Sequence, residues 1–400
     1  MGRTFVSRTM LMDPRRGKDM GKAARPTKTT VLRVVINAQV TVDHCKAALQ
    51  DLRILATALL LEPAPLTEAR TLTQALAHAV MTVPHSVAVR TADPSPPPST
   101  AAGAKMAGKT FARAIPEKET GGSAADWGSL TYWQLLQQAA YVSSHLLSDA
   151  STRGSVVAIL CDRNVDAYVA IVACLLRGCA WLMIDSSLPA ARVAHLLTEA
   201  TPMAEVIISD SRRAAWKAAI AKMGARGGAE RALKPTLKPC FLTPFLHDLR
   251  SDKASEERTP IAPLSPVAPE HATKSDAYMI FTSGSTGLPK AVKIGHMQLC
   301  DLLRAFATHW GAQMEAGKDS AIAQIAWAWD MHVLDMWLGL AQGATVRLLR
   351  DEERLAGARV AAIIDRTATE AEERGGTLRW IQGTPTFHCL LYTSPSPRDS

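Results

Sequence analysis

The sequence lacks several features that would place it in well-defined protein classes. Its seven cysteines are scattered and include no Cys-x-x-Cys pair, which argues against a disulfide framework or a structural zinc site. No run of about eighteen apolar residues occurs, and the longest candidate, 168–184, is interrupted by Arg177 and Gly178. The basic N-terminus has no apolar core behind it. We therefore expect a cytoplasmic protein with no membrane association, no secretory signal and no metal-ligating residues.

Charge is also scarce, because charged residues make up 20% of the chain and hydrophobic residues 47%. This balance predicts a folded protein and excludes a disordered polymer. The net charge of +8 is modest for 400 residues, and much of it lies in residues 1–30. No basic face interleaved with aromatic residues stands out, so nucleic acid is not expected as a partner.

Composition divides the chain into segments. Residues 1–30 are predicted to be a disordered basic leader. Residues 92–129 are rich in Pro, Ser, Ala and Gly, and residues 212–270 are basic and then Pro-rich, so flexible insertions are expected near both. The tail 392–400 is abruptly polar and Pro-rich. It is either foreign to the preceding domain or a native disordered end.

Between these segments, short apolar runs alternate with helical patterns. Runs at 155–160, 180–184 and 206–208 are separated by helical periodicity over 165–177 and 189–197. Continuous apolar runs are typical of strands that are buried on both faces, and this alternation predicts an α/β protein with mostly parallel sheets flanked by helices. Further strands are predicted at 87–89, 276–281, 322–326, 344–349 and 378–381, and further helices from residue 72 and at 131–148, 297–310, 333–341 and 360–373.

The most informative stretch follows the strand predicted at 276–281. It combines hydroxyl side chains, two glycines and a lysine: Thr282, Ser283, Gly284, Ser285, Thr286, Gly287 and Lys290. The glycines permit close approach of the backbone to an anion, the hydroxyls are donors, and the lysine supplies a point charge. These residues predict a polyphosphate-binding loop.

The spacing of this loop differs from that of the NTPase P-loop. That motif requires Gly immediately before the Lys and Ser or Thr after it, whereas this chain has Pro289 and Ala291 at those positions. An ordinary Ser/Gly surface turn is the alternative, but so many phosphate-compatible residues directly behind a strand make it disfavoured.

Residues 282–290 resemble the signature loop of the adenylate-forming (AMP-binding) superfamily, which includes acyl-CoA synthetases and the adenylation domains of nonribosomal peptide synthetases. Ala291 stands where the family usually has Gly. Residues 130–135 are similar to the family's Leu-Thr-Tyr-x-Glu-Leu element, residues 175–185 to its Leu-Lys-Ala-Gly-x-Ala-Tyr-Val-Pro-Ile-Asp element, and residues 384–386 to its Thr-Pro turn. The resemblance covers residues 70–391 apart from the insertions. It implies a partial adenylation domain with the fold of the family's large N-terminal domain, incomplete at its C-terminus.

A second resemblance concerns the substrate. Residues 329–334 are similar to the Phe-Asp-x-Ser-x-Trp stretch of amino-acid-activating domains, where the aspartate pairs with the substrate's α-ammonium group. The resemblance assigns that role to Asp330 and places Met331 and Leu334 at the side-chain pocket. The alternative is that Asp330 only caps the helix predicted at 333–341. Trp327 and Trp329 are expected in the core.

The resemblance implies activation of a carboxylic acid, in particular an amino acid, as its acyl-AMP. Lys290 and Thr286 would be catalytic, ATP and Mg²⁺ would be required, and the acyl group would pass to phosphopantetheine on a carrier protein domain. An acyl-CoA synthetase or carboxylate reductase remains an alternative, as does a nucleotide-binding fragment without activity. The family's later adenine, ribose and lysine motifs are not found, so these 400 residues alone are expected not to turn over. Residues 31–69 are interpreted as the exit tail of a condensation-like domain or as a generic helical leader.

Overall fold

The computed structural model describes residues 61–91, 128–147, 154–185, 187–200, 203–225, 238–250, 275–283, 289–354, 356–384 and 387. The predicted leader, most of 31–69, nearly all of the predicted insertion near 92–129 and the tail 392–400 lie outside these ranges. Those assignments therefore stay predictions.

Two sheets make up the described part of the chain, and this mixed α/β architecture confirms the predicted fold class. The first sheet has the strand order β11-β9-β10-β1-β2 and consists of β1 (Val87–Thr91), β2 (Ser129–Thr131), β9 (Ser320–Ala323), β10 (Thr345–Leu348) and β11 (Leu378–Ile381). The second has the order β6-β5-β3-β4-β7-β8 and consists of β3 (Val156–Leu160), β4 (Ala180–Met183), β5 (Met203–Ile208), β6 (Lys238–Phe241), β7 (Asp276–Ser283) and β8 (Pro289–Gly295). Neighbouring strands are parallel except in the pairs β1–β2 and β7–β8.

Helices flank both sheets. They are α1 (Leu72–Thr82), α2 (Tyr132–His145), α3 (Val165–Arg177), α4 (Ala190–Glu199), α5 (Arg213–Ala225), α6 (Leu242–Arg250), α7 (His296–His309), α8 (His332–Leu340), α9 (Asp351–Arg354) and α10 (Gly357–Glu373). Local sequence explains several of their ends. Thr131 begins α2 with a capping box that it forms with Gln134. Gly178, at φ 75°, ends α3 in the left-handed conformation that glycine adopts without strain.

Strand β3 shows why the predicted parallel sheet forms. All five of its residues are buried, and they alternate between two cores. Val157 and Ile159 belong to the larger core, to which both sheets contribute, whereas Val156 and Ala158 pack with residues of α4 and α5. A strand covered on both faces must be apolar throughout, which is the pattern that the sequence displays.

The structure differs from the sequence predictions in three places. Within the predicted insertion at 212–270, the chain forms α5, β6 and α6, and Leu242 and Leu246 are buried in the larger core. Strand β8 was not predicted. Strand β9 begins at Ser320 and ends at Ala323, so the predicted strand at 322–326 is displaced.

Candidate functional site

The predicted phosphate loop lies at the turn of the β7–β8 hairpin. Thr282 pairs with Lys290, and Ser283 pairs with Pro289, in an antiparallel register. Residues directly opposite each other in such a ladder place their side chains on the same face of the sheet. The hydroxyl of Thr282 and the ammonium of Lys290 therefore share one face, and both residues are exposed. Residues 284–288, and with them Gly284, Ser285, Thr286 and Gly287, lie outside the described residues, so their phosphate-binding role stays a prediction.

Strand alternation identifies the face on which this pair lies. Tyr278, Ile280 and Thr282 are spaced by two residues, so their side chains point to the same side of β7. Tyr278 and Ile280 pack into the larger core, whereas Met279 packs into the core beneath α4 and α5. The side chains of Tyr278 and Ile280 thus form a row on β7 that faces the larger core. Thr282 continues this row at the carboxyl end of β7, and Lys290 lies opposite Thr282 on β8.

An aromatic contact joins this row to the start of α8. The ring of Tyr278 meets the imidazole of His332 edge-on, with 6.1 Å between ring centroids, and stacks on Trp181 at 5.4 Å. Burial raises the pKa of Tyr278 to about 12, and the negative charge of Asp330 adds to the rise. The segment that carries Asp330 therefore lies close to the same face of β7.

Asp330 is exposed just before α8. Its Oδ1 accepts a hydrogen bond of 2.8 Å from the backbone N–H of Met331. The N-cap residue of α8 is Met331, and no side chain caps this helix, so the alternative in which Asp330 serves as its N-cap is wrong. The predicted role of Asp330 in binding an ammonium group remains a prediction.

The residues around Asp330 differ in burial. Met331 is partly buried against the larger core, and Leu334 is fully buried in it. Their predicted place at a side-chain pocket remains a prediction. Trp327 is buried as expected, but Trp329 is 66% exposed, so its assignment to the core is wrong.

The sequence motifs do not indicate two buried charged residues near this segment, Arg163 and Asp335. Arg163 follows β3 and donates to the carbonyls of Leu349 at 2.9 Å, Ile325 at 2.9 Å and Ala323 at 3.2 Å. Asp335 in α8 accepts the N–H groups of Gln324 at 3.0 Å and Ile325 at 2.9 Å through Oδ2. Residues 333–340 are apolar except for Asp335 and Gly339. A single carboxylate within an apolar run is the sequence signal that identifies Asp335.

Burial governs the electrostatics of this region. It raises the pKa of Asp335 to about 7, although the two backbone N–H donors and the positive charge of Arg163 oppose the rise. Burial also lowers the pKa of His332 to about 4. His332 is therefore neutral at pH 7, and its Nδ1 lies 2.5 Å from the carbonyl oxygen of Trp329. Because a carbonyl only accepts, the proton of the neutral ring resides on Nδ1.

His296, which directly follows the β7–β8 hairpin, has a structural role at the start of α1. It is buried, and its Nδ1 accepts the N–H of Leu72 at the first position of α1, at 3.5 Å. Burial lowers the pKa of His296 to about 4. The Thr384 hydroxyl accepts the N–H of Phe387 at 3.2 Å. Residues 385–386 lie outside the described residues, so the turn predicted at 384–386 stays a prediction.

Two kinds of feature are not found among the described residues. None of the helices in the described ranges combines the length and the apolar composition that spanning a bilayer requires. Within the same ranges, no three His, Cys, Asp or Glu side chains are arranged to hold a metal ion.

The chain is similar to known proteins over most of its length. The protein family described as "AMP-binding enzyme" matches residues 104–371. The isonitrile lipopeptide synthase of Streptomyces coeruleorubidus is 32% identical over 238 residues, which cover 58% of this chain and 14% of that protein. A phosphinothricin tripeptide synthetase of Streptomyces viridochromogenes is 32% identical over 239 residues, which cover 58% of this chain and 18% of that protein. The chain thus spans less than one fifth of the length of these two relatives.

Solved structures share the fold. A variant of the nonribosomal peptide synthetase FmoA3 bound to α-methyl-L-serine-AMP matches 88% of this chain and 31% of its own, with a TM-score of 0.55 and 19% identity. VinN in complex with 3-methylaspartate matches 81% of this chain and 74% of its own, with a TM-score of 0.50 and 16% identity.

Proposed function

Because this chain belongs to the AMP-binding enzyme family, we propose that its protein activates an amino acid by joining the carboxylate to AMP. The coarse activity, adenylate formation, is that of the family. The choice of an amino acid as substrate is our inference. It is supported by relatives that are named as a lipopeptide synthase and a tripeptide synthetase, and by the proximity of Asp330 to Tyr278, which lies on the same face of β7 as Thr282.

The observation that carries the proposal is the pairing of Thr282 with Lys290 at the end of a row that begins at Tyr278. Lys290 and the Thr282 hydroxyl would bind the β- and γ-phosphates of ATP from one face of the hairpin. Asp330, near the other end of the row, would bind the α-ammonium group of the amino acid. In this proposal, the carboxylate of the amino acid would approach the α-phosphate of ATP between these two positions.

The reaction is a displacement at phosphorus. An oxygen of the substrate carboxylate attacks the α-phosphorus of ATP, the bond to the bridging oxygen breaks, and pyrophosphate leaves with the electron pair. The positive charge of Lys290 would stabilise the negative charge that develops on the leaving group. Thr286 is proposed to assist from residues 284–288.

Mg²⁺ and a carrier domain complete the proposed reaction. The described residues contain no cluster of carboxylates to hold Mg²⁺. Mg²⁺ would be held mainly by the phosphates of ATP and would neutralise part of their charge, as is common at nucleotide sites. We also propose that the acyl group passes to a phosphopantetheine thiol on a carrier domain. The carrier domain would be part of the whole protein, and its presence is part of this proposal.

Amino-acid-dependent exchange of labelled pyrophosphate into ATP tests the proposal in the full-length gene product. We expect exchange with at least one member of a panel of proteinogenic and non-proteinogenic amino acids. Exchange that depends only on fatty or aryl acids would replace the amino acid by those substrates and favour an acyl-CoA synthetase or carboxylate reductase. Absence of exchange with every acid would contradict the proposal.

A further inference from the structure

The segment Ala323–Ile325 is held from two sides. On one side, the guanidinium of Arg163 donates to the carbonyls of Ala323 and Ile325. On the other, the carboxylate of Asp335 accepts the N–H groups of Gln324 and Ile325. Arg163 is 5% exposed and Asp335 is 1% exposed, so water does not replace these bonds.

The two charged residues come from different parts of the fold. Arg163 follows the carboxyl end of β3 in the second sheet, and its third bond, to the carbonyl of Leu349, lies at the carboxyl end of β10 in the first sheet. Asp335 belongs to α8, which begins two residues after Asp330. The held segment thus lies where the carboxyl edges of both sheets meet.

The held segment is the beginning of the connection that leads to Asp330. Only residues 326–329 separate Ile325 from Asp330, and the far end of this connection is tied by the bond between the Trp329 carbonyl and the His332 ring. We propose that Arg163 and Asp335 form a clamp that positions Asp330 for binding of the amino acid, a role that rests on the proposed function. Both are positioning residues, because they act through the backbone of Ala323–Ile325.

The position of the clamp makes its effect selective. The clamp holds the connection between β9 and α8 in the first sheet, whereas Lys290 stands on the β7–β8 hairpin of the second sheet. Loosening the clamp therefore moves Asp330 and leaves the hairpin register in place. Binding of the amino acid weakens, and binding of ATP does not.

Hydrogen–deuterium exchange of the 400-residue chain tests the clamp without reference to activity. Asp335→Ala removes the acceptor of two buried N–H groups, whereas Asp335→Asn keeps an acceptor oxygen of the same reach. In Asp335→Ala, we expect amides of 324–331 to exchange about tenfold faster or more, with β7 amides unchanged. Asp335→Asn is expected to restore the wild-type rates. Unchanged rates at 324–331, or an equal rise throughout the domain, would overturn the proposal.

Steady-state kinetics of pyrophosphate exchange in the full-length gene product test the positioning role. Asp335→Ala and Arg163→Lys are each expected to raise the KM for the amino acid about tenfold and to change the KM for ATP by less than about twofold. Asp335→Asn is the rescuing variant, and Arg366→Lys, on the exposed face of α10, is the surface control. An equal change in both KM values, or a loss of kcat alone, would overturn the positioning role and leave the proposed function standing. Absence of amino-acid-dependent exchange in the wild type would instead overturn the proposed function, and the positioning role with it.

Discussion

Tyr278 on β7 meets His332 at the start of α8 edge-on, with 6.1 Å between the ring centroids. This contact connects the hairpin that carries Lys290 with the segment that carries Asp330. Edge-to-face pairs favour a defined geometry, and both residues are buried here. The two halves of the candidate site are therefore joined through packed side chains.

Asp330 is expected to determine affinity for the amino acid. Asp330→Asn removes the charge that would pair with the α-ammonium group, so the KM for the amino acid should rise roughly 10- to 100-fold. The KM for ATP should change little, and Asp365→Asn, on the exposed face of α10, should leave both constants as in the wild type. Pyrophosphate exchange measures these constants. Equal KM values for the amino acid in Asp330→Asn and the wild type would remove Asp330 from the site.

Tyr132 is expected to stabilise the fold through its hydroxyl. It is fully buried and donates to the carbonyls of Ala344 at 2.7 Å and Leu340 at 3.2 Å, which ties the start of α2 to the turn between α8 and β10. Tyr132→Phe leaves these carbonyls without that donor and should lower the free energy of unfolding by about 1–3 kcal/mol. Urea denaturation measures the loss. Tyr141→Phe, at a partly buried ring on the same helix, is the control, and a loss of the same size there would contradict the explanation.

His296 is expected to make the fold sensitive to acid. Its pKa in the folded state is about 4, below the ordinary value of 6.5, because burial disfavours the charged ring. Between pH 6.5 and 4, the His296 imidazole is therefore protonated in the unfolded chain and neutral in the folded chain. The free energy of unfolding falls as the pH drops through this window. His296→Gln should make this fall smaller in urea titrations between pH 7 and 4. His309→Gln, at the exposed end of the same helix, should leave it unchanged.

Asp335 is expected to act in the opposite direction. Its pKa in the folded state is about 7, above the ordinary value of 3.8, because burial disfavours the carboxylate. The folded chain retains a proton that the unfolded chain releases above pH 4, so this group favours folding at low pH and loses that contribution as the pH rises to 7. The stability of Asp335→Asn relative to the wild type should therefore increase from pH 4 to pH 7. A constant difference across this range would show that Asp335 ionises normally in the fold.

The elements that the sequence predicts well are those with both faces buried. Strands β3 and β4 and helix α3 are apolar along nearly their whole length, so composition alone locates them. Strand β8 is different, because among the described strands it pairs with β7 alone, and it carries Lys290 and Lys293 among exposed residues. Because most residues of β8 are exposed and two are charged, its sequence lacks the apolar pattern that predicts a buried strand. Likewise, β6 and α6 are short and lie between basic and Pro-rich stretches, so the composition of this region does not predict them.

Long-range contacts explain the remaining differences. Strand β9 ends at Ala323 because the next two N–H groups are bound by Asp335, which the apolar run 322–326 does not reveal. The sequence located Lys290 and Asp330 by their motifs. It could not identify Arg163, because the carbonyls that this residue binds lie more than 150 residues away along the chain.

The affinity of the 400-residue chain for ATP tests the central claim most directly, and a second lysine on β8, Lys293, provides a matched control. Lys290 and Lys293 are three residues apart on one strand, so they point to opposite faces, and Lys293 pairs with Asp276 at 3.2 Å. Isothermal titration of Lys290→Ala should give a Kd for ATP about 10- to 100-fold above that of the wild type, as expected for a lost bond to a charged group. Lys293→Ala should bind ATP as the wild type does. Equal affinities for Lys290→Ala and the wild type would contradict the claim that this hairpin binds the triphosphate.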